Sequence, residues 1–372
     1  MIPQDDRAIV QGLQAAAKGL GAVRLGVASM SSTPAEHADA FQTWLAKGDH
    51  GSMEYLAETA EDRLDPLRRF AWARSAVLCA FPYGPEAGDP ATLLPTIARY
   101  ARGDDYHALL PGLMQQLSSH LEGLTGRPHR NKTFSDTSAL MERDLARRAG
   151  LGWIGKHSGL LTEESGSWLL LAGFLTELEL PGSVPVEERC GTCRACLDAC
   201  PTGAITEPYQ VDARRCIAYL TIEHRGWIPR EMRPWLADWL FGCDLCQEAC
   251  PWNQHAPQGL KALRARPDYS SLTLPELISL PMARYTALFK GSALKRATRA
   301  GLRRNAIILA GNRKDASCRE ALLGALSDGD PVLRGTAAWA LGRLGGSRET
   351  IREALGRESD PEVRSEMAGA LT

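Results

Sequence analysis

Cys190-Gly-Thr-Cys193-Arg-Ala-Cys196-Leu-Asp-Ala-Cys200-Pro201 opens the stretch around which the chain is organised, and Cys243-Asp-Leu-Cys246-Gln-Glu-Ala-Cys250-Pro251 closes it. The first run reads C-x2-C-x2-C-x3-C-P. The second repeats it without its first cysteine, because Leu240 holds that place. A lone Cys216 lies between the runs and can supply the missing thiol. Eight of the ten cysteines therefore fall in one module. The other two, Cys79 and Cys318, stand apart in apolar surroundings, where a free cysteine fills core space. This inventory suits a reducing compartment and metal ligation, not a disulfide framework.

The first run has the spacing by which bacterial two-cluster ferredoxins hold iron–sulfur cubes, three cysteines on one cube and the fourth reaching to the other. On that arithmetic Cys190, Cys193, Cys196 and Cys250 hold one 4Fe–4S cluster. Cys200, Cys216, Cys243 and Cys246 hold the second. A pair of all-cysteine zinc sites is the competing reading. Such sites pair two C-x2-C knuckles across a spacer and have no use for x3-C-P. Two cubes imply single-electron transfer toward an acceptor that the rest of the chain must provide.

A net charge of −1 gives no global attraction for nucleic acid, so any basic surface has to be local. The composition, 44% hydrophobic and 23% charged, fits a globular chain with room for two or three domains. The start, MIPQDDRAIV, lacks the basic flank and apolar run of a signal peptide, and no twin-arginine leader is seen. The longest apolar run, Trp168 to Leu175, is too short to cross a bilayer. A cytoplasmic protein with no membrane partner is expected.

Up to residue 180 the periodicities are mixed. Ile9, Val10, Leu13, Ala16, Ala17 and Leu20 recur at helical spacing until Gly19 and Gly21. Val23 to Ala28 reads as a strand. Pro34 to Lys47 reads as a helix with Thr33 as its N-cap. Ala76 to Phe81 reads as a buried strand stopping at Pro82, and Trp168 to Leu178 as another. Leu109 to Leu124 and Ala139 to Ala149 read as helices, the second ended by Gly150. Without a strict β-α-β rhythm, the class is α+β. Two pieces carry candidate chemistry. The segment Ala98-Arg-Tyr-Ala-Arg-Gly-Asp-Asp-Tyr-His107 sets a tyrosine and a histidine before a helix that Asp104 or Asp105 can cap. Ser135-Asp136-Thr137 sets an acid at a strand end, where a helix cap is the plain reading. The turn from Gly150 to Gly159 is rich enough in glycine for a backbone to approach a flat ligand. It lacks the G-x-G-x-x-G spacing of a dinucleotide site.

Lys261 to Leu280, interrupted by Pro267 and Pro275, reads as a connector. Then come Lys290, Lys295, Arg296, Arg299, Arg303 and Arg304 with no acid between Lys290 and Arg304. Solvated basic faces normally interleave acids, so this run points to a phosphate partner. Asp330-Pro-Val-Leu-Arg334 recurs as Asp360-Pro-Glu-Val-Arg364. In each copy Asp caps the next helix and Pro fits its first turn. Helix pairs with this period resemble short HEAT repeats, whose stacked surface suits a folded RNA or a protein partner.

These pieces together resemble the epoxyqueuosine reductases, cobalamin-dependent enzymes of tRNA modification, over nearly the whole chain. The resemblance lies in Arg99 to His107, Asp136 in its S-D-T setting, and Arg148-Ala-Gly-Leu-Gly-Trp-Ile-Gly-Lys156. It continues in Cys190 to Ile205, Cys216 to Glu223, Cys243 to Asn253, Gly301 to Ala306 and Arg334 to Leu341. It implies a cobalamin-binding α+β catalytic domain (1–180) like the reductive dehalogenases and the nitroreductase fold. A two-cluster ferredoxin-like domain (181–260) and a basic linker with HEAT-like tRNA-binding repeats (261–372) follow. The motif D-x-H-x-x-G, which supplies a histidine to cobalt, is missing, since Asp105-Tyr-His107 runs on into Ala-Leu-Leu110. Base-off cobalamin is therefore implied.

By the same resemblance Arg63, Asp136, His157, Ser158, Gly159, Leu160 and Leu171 contact cobalamin. Arg225, Lys295, Arg296, Arg299, Arg303, Arg304 and Asn305 face tRNA. Asp136 is the implied proton donor, which requires burial to raise its pKa; Tyr106 is the second candidate. Electrons from an external low-potential donor would pass through the clusters to cobalamin, and the epoxide at the wobble base would be reduced. A reductive dehalogenase and a non-enzymatic metal-cluster RNA adaptor are the competing readings. The added basic repeats and the missing leader count against the first, and the long N-terminal domain against the second.

Overall fold

The computed structural model describes residues 4–84 and 92–372; the first three residues of the stretch read for a leader lie outside it. Among the described residues, one compact unit holds 4–84, 103–213 and 244–264, and a second holds 92–102, 214–243 and 265–372.

The first unit is α+β. Its elements begin with α1 (Gln4–Gly19), β1 (Arg24–Ser29), α2 (Ala35–Ala46), α3 (Glu54–Glu58), α4 (Ala60–Leu64) and β2 (Ser75–Pro82). They continue with α5 (Tyr106–Thr125), β3 (Asn131–Phe134), α6 (Glu142–Arg148), β4 (Trp153–Ile154), β5 (Leu160–Leu161) and β6 (Leu169–Thr176). Strands β1, β2, β6 and β3 lie side by side in that order, every pair antiparallel. Every residue of β2 is buried, as its unbroken apolar run requires of a strand covered on both faces. Ala76, Leu78 and Ala80 on one face of β2 join Leu145 and Ala146 of α6 in a common core. α1 packs on α5, and α5 on β6 and β3. Cys79 is fully buried, as is Cys318 in the second unit, so both fill core space.

Three local expectations give way. Thr33 does not cap α2: Pro34 takes the N-cap, and the Thr33 hydroxyl donates to the Arg63 carbonyl at 3.3 Å. α5 starts earlier than its apolar periodicity, at Tyr106, because the Asp105 carboxylate accepts from the His107 N–H. α6 starts later, because residues 136–141 are spent on the turn around Asp136.

After α7 (Ala195–Asp198), β7 (Ile205–Glu207) and β8 (Gln210–Val211), the second unit takes α8 (Ile217–Ile222), and α9 (Leu245–Glu248) returns to the first. The rest is helical: α10 (Leu274–Ile278), α11 (Met282–Leu288), α12 (Thr298–Arg313), α13 (Arg319–Ala325), α14 (Pro331–Leu344), α15 (Arg348–Arg357) and α16 (Pro361–Ala370). The connector expected before residue 280 thus contains a true helix. Thr273 and Glu276 close a capping box on α10, whose Leu274, Leu277 and Ile278 are buried. α12 is central, packing on α10 and α14, and α14 packs on α16. The repeated motif works as its chemistry dictates. Asp330 accepts from the Val332 N–H, and Asp360 from those of Glu362 and Val363. Arg334 pairs with Glu358 at 2.6 Å, and Arg364 donates to the carbonyls of Leu355 and Glu358. Arg334 thereby ties α14 to the end of the helix that follows it, and Arg364 ties α16 to the end of the helix that precedes it. Among the described residues no helix is long and apolar enough to cross a membrane.

Candidate active site and cysteine cavity

Past β3 the chain turns through Asp136, whose φ of 60° lies in the left-handed region that few non-glycine residues adopt. Hydrogen bonds on both sides hold it there. The Asp136 N–H donates to Glu142 Oε1 at 2.7 Å, and Tyr106 Oη donates to Asp136 Oδ2 at 2.8 Å. His107 Nε2 stands 3.5 Å from the same oxygen, while its Nδ1 is 2.8 Å from Asp105 Oδ1. The imidazole therefore bridges two carboxylates, and it stacks on Tyr106 with ring centroids 4.0 Å apart. Arg63 donates to Thr59 Oγ1 and the Leu140 carbonyl, and Arg143 to the Ser158 carbonyl. Ser135 Oγ donates to the Leu171 carbonyl at 2.8 Å, at the only partly buried end of β6. The fold thus gathers Arg63, Tyr106, Asp136 and Leu171 from distant segments. Asp136 is not a helix cap, since Met141 stands at the N-cap of α6.

Protons are distributed differently from expectation. Burial pushes the Asp136 carboxyl up, but hydrogen bonds from His107 and Tyr106 and the charge of Arg143 outweigh it and hold the group below the usual carboxylate range. Its side chain keeps 70% of its surface exposed, so what pushes it up is the crowding of protein around the turn and not enclosure of the carboxyl itself. The raised pKa required of a donor is absent, and Asp136 is an anion at neutral pH. Burial disfavours the His107 cation, yet Asp105 and Asp136 carry its pKa to about 9. Burial and the neighbouring Asp136 charge lift Glu142 to about 8. Protons at neutral pH sit on Tyr106, His107 and Glu142. Glu142 escaped the sequence reading because an acid in a first helical turn is ordinarily a solvated one. Only the turn at Asp136 brings it inward.

The glycine-rich turn forms the β4–β5 hairpin, closed by the Gly155 N–H donating to the Gly159 carbonyl at 2.8 Å. A Cβ on Gly152 would lie 1.9 Å from the Leu161 carbonyl oxygen, and one on Gly159 would lie 2.8 Å from the His157 ring. These glycines let the hairpin close on itself. Leu160 is buried in the sheet core, and Ser158 Oγ donates to the Tyr209 carbonyl. His157 turns toward the cysteines. With Lys156 it lines a small cavity, partly open to solvent, walled by Cys190, Cys193, Cys196 and Cys250. His157, Ser158, Gly159 and Leu160, for which the resemblance implies cobalamin contacts, are engaged by the hairpin, the core and the cysteine cavity.

Lys156 Nζ donates to the carbonyls of Gly191 and Cys193, at 2.5 and 2.9 Å, and pins the cysteine loop. Burial, with the other thiols adding, raises Cys250 to about 11 and Cys196 above the ordinary thiol range. Thiols this close ionise together only around a cation. Among the described residues no three His, Cys, Asp or Glu side chains converge as on a single metal ion. Cys200 and Cys246 belong to the first unit, and Cys216 and Cys243 to the second.

Family models match three stretches: epoxyqueuosine reductase QueG over 63–137, a 4Fe-4S double cluster binding domain over 189–253, and HEAT repeats over 291–372. An epoxyqueuosine reductase from Cellulophaga algicola is 38% identical over 289 residues, 76% of this chain and 94% of that protein. The chain belongs to the epoxyqueuosine reductase family. A crystal structure of epoxyqueuosine reductase with an epoxyqueuosine-modified tRNA-Tyr stem loop superposes with a TM-score of 0.89 at 30% identity, covering 98% of each chain. Another, from Bacillus subtilis, has a catalytic-aspartate loop swung out of the active site. It matches with a TM-score of 0.87 at 29% identity over 98% of this chain and 99% of that one.

Three residues assigned to the tRNA side of this epoxyqueuosine reductase are not on its surface. Arg303, Arg304 and Asn305 are 6%, 2% and 1% exposed. Arg304 donates to the carbonyls of Leu220, Gly226 and His224 at 2.7, 2.9 and 3.0 Å. Arg303 donates to the Ile278 carbonyl and pairs with Asp328 at 2.6 Å. Asn305 donates to the carbonyls of Thr221 and Leu240. Direct phosphate contact is corrected for these three: they hold the helical unit together. The acids missing from the basic run come from elsewhere, Asp328 to Arg303 and Glu223 to Arg296. Lys290, Lys295, Arg296 and Arg225 remain exposed, and Arg299 is half-buried with its Nε on the Leu280 carbonyl.

Proposed function

We propose that this protein reduces the epoxide of epoxyqueuosine in tRNA to the alkene of queuosine, with two electrons and two protons consumed and water released. The observation that carries the reading is the proton-bearing cluster Tyr106, His107, Asp136 and Glu142, in a chain of this family that also holds a four-cysteine cavity. Opening an epoxide leaves an alkoxide that must be protonated, and a positioned donor contributes about 10² to 10⁴ in rate.

Asp136 is the hub of that cluster. Its carboxylate accepts from Tyr106 Oη and faces His107 Nε2, so it orients one hydroxyl and keeps one imidazole charged. Tyr106 Oη–H is the proton nearest to delivery. His107 Nε2–H replaces it through Asp136, and Glu142 is a further reserve. Two protons are needed, and three groups carry one at neutral pH.

Cobalamin is the implied electron acceptor, and the residues fit it in part. Arg63, Asp136 and Leu171 would hold it, beside the partly buried Leu169 and Leu170 as an apolar shelf. When bound it supplies a strongly reducing metal centre, a chemistry no side chain possesses. Cys190, Cys193, Cys196 and Cys250 suit one four-iron cube, and the match to a 4Fe-4S double cluster binding domain supports a second. The target base leaves its stack to reach the reducing centre, while exposed Lys290, Lys295 and Arg296 meet phosphates. The cytoplasm, where tRNA and low-potential donors are found, is the place of action.

Reconstituted holoenzyme given a chemical reductant and epoxyqueuosine-containing tRNA tests the reading. Asp136→Asn should keep both clusters and tRNA binding yet lose turnover by about 10² or more, the effect of disarming a proton donor. Near wild-type turnover in that variant would overturn the proton assignment; no queuosine from the wild type would overturn the function.

A further inference from the structure

One buried N–H group in the wall of the four-cysteine cavity, and a second packed against its cysteines, meet no nitrogen or oxygen acceptor. His157 Nδ1 accepts from the Gly159 N–H at 3.1 Å, so the proton of the neutral ring is on Nε2. Nε2 is fully buried and unpartnered, and the ring lines the cavity with Cys190, Cys193, Cys196 and Cys250. Trp153 is 1% exposed and packs with Cys250 and Cys190. Its Nε1 is likewise buried, and the acceptor beside it is the Cys190 sulfur.

A buried donor left unpaired is costly, so native folds keep few. One in the cavity wall and one packed against the same cysteines point to an acceptor that belongs there. Sulfur of a thiolate or a cluster sulfide is such an acceptor, and hydrogen bonds to it favour the more negative, reduced cluster. The ring is held on one nitrogen by the Gly159 N–H, and its other nitrogen is buried in a ring that lines the cavity together with the thiols.

We propose that His157 and Trp153 donate hydrogen bonds to sulfur of the cluster held by Cys190, Cys193, Cys196 and Cys250, and that they raise its reduction potential. The inference rests on the iron–sulfur reading of that cavity. It gives His157 a role in electron transfer, where the family resemblance implied a cofactor contact.

The test is a redox titration of anaerobically reconstituted full-length protein, read by electron paramagnetic resonance. His157→Phe should shift one midpoint negative by about 59 mV, a tenfold change in a one-electron equilibrium, and leave the other where it was. His157→Asn, which retains an N–H donor, should restore much of the shift. The intact protein gives a second readout. With 15N-histidine incorporated, pulsed resonance on the reduced cluster should show one coupled histidine nitrogen. Unmoved midpoints in His157→Phe at full iron content would overturn the proposal. So would the absence of any histidine coupling in the wild type, even if the variant loses its iron. A wild-type protein that assembles no four-iron cubes would instead overturn the function proposed above.

Discussion

Arg304 separates a phosphate contact from a structural cation. Arg304→Met keeps most of the stem's volume and deletes the guanidinium. Three backbone carbonyls, of Leu220, His224 and Gly226, are then left without this donor, as is Asn305 Oδ1. A stranded buried acceptor costs about 1–3 kcal/mol. Four such groups give roughly 4 kcal/mol at the lower bound, which applies because carbonyls accept at two lone pairs. Part of this is recovered, since burial disfavours the charge enough to bring its pKa down to about 10. A net destabilisation of about 3 kcal/mol remains, which lowers the melting temperature by roughly 6–12 °C for a unit of this size. Thermal unfolding of the full chain, followed by circular dichroism, reads it. tRNA binding by fluorescence anisotropy, well below the new midpoint, should stay within about twofold of wild type, because a residue 2% exposed reaches no phosphate. A melting point within about 2 °C of wild type, together with a tenfold drop in tRNA affinity, would refute the structural role.

Three further outcomes are expected. Lys290→Glu with Lys295→Glu, both exposed, should leave melting unchanged and weaken tRNA binding; the slope of log affinity against log salt should shrink by about 0.9 for each phosphate that the protein no longer neutralises. An unchanged slope would move the tRNA site elsewhere. His107 holds its proton below about pH 9, so turnover should fall as pH rises through that value. In Asp136→Asn any residual activity should show that limb about one unit or more lower, because one of the two carboxylates favouring the cation is gone. A pH–rate profile in both proteins decides this. Asp360→Ala removes a side chain that caps two N–H groups of α16 and should cost about 1 kcal/mol in urea unfolding; no change would mean that the helix end is held by packing alone.

The sequence by itself determined what is local or chemical in kind. The cysteine spacing named the ligand type and which four thiols belong together. Asp before Pro announced the starts of α14 and α16, and an unbroken apolar run announced that β2 is central in its sheet. These features are legible because a cap, a ligand spacing or a two-residue alternation is set by neighbours along the chain. Tertiary structure alone decided charge and burial. The run from Lys290 to Arg304 lacks acids in sequence, yet Asp328 and Glu223 arrive from other segments, and two of its arginines end up in the interior. The protonation of Asp136 followed the same rule. Burial favours a neutral acid, but His107 and Tyr106, thirty or so positions away, reverse the sign. His157 is a third case. Its turn was visible in the sequence, but which side of the hairpin its ring takes depends on Gly159 and on thiols far along the chain. Electrostatic energy depends on distance through space, and sequence separation does not report it.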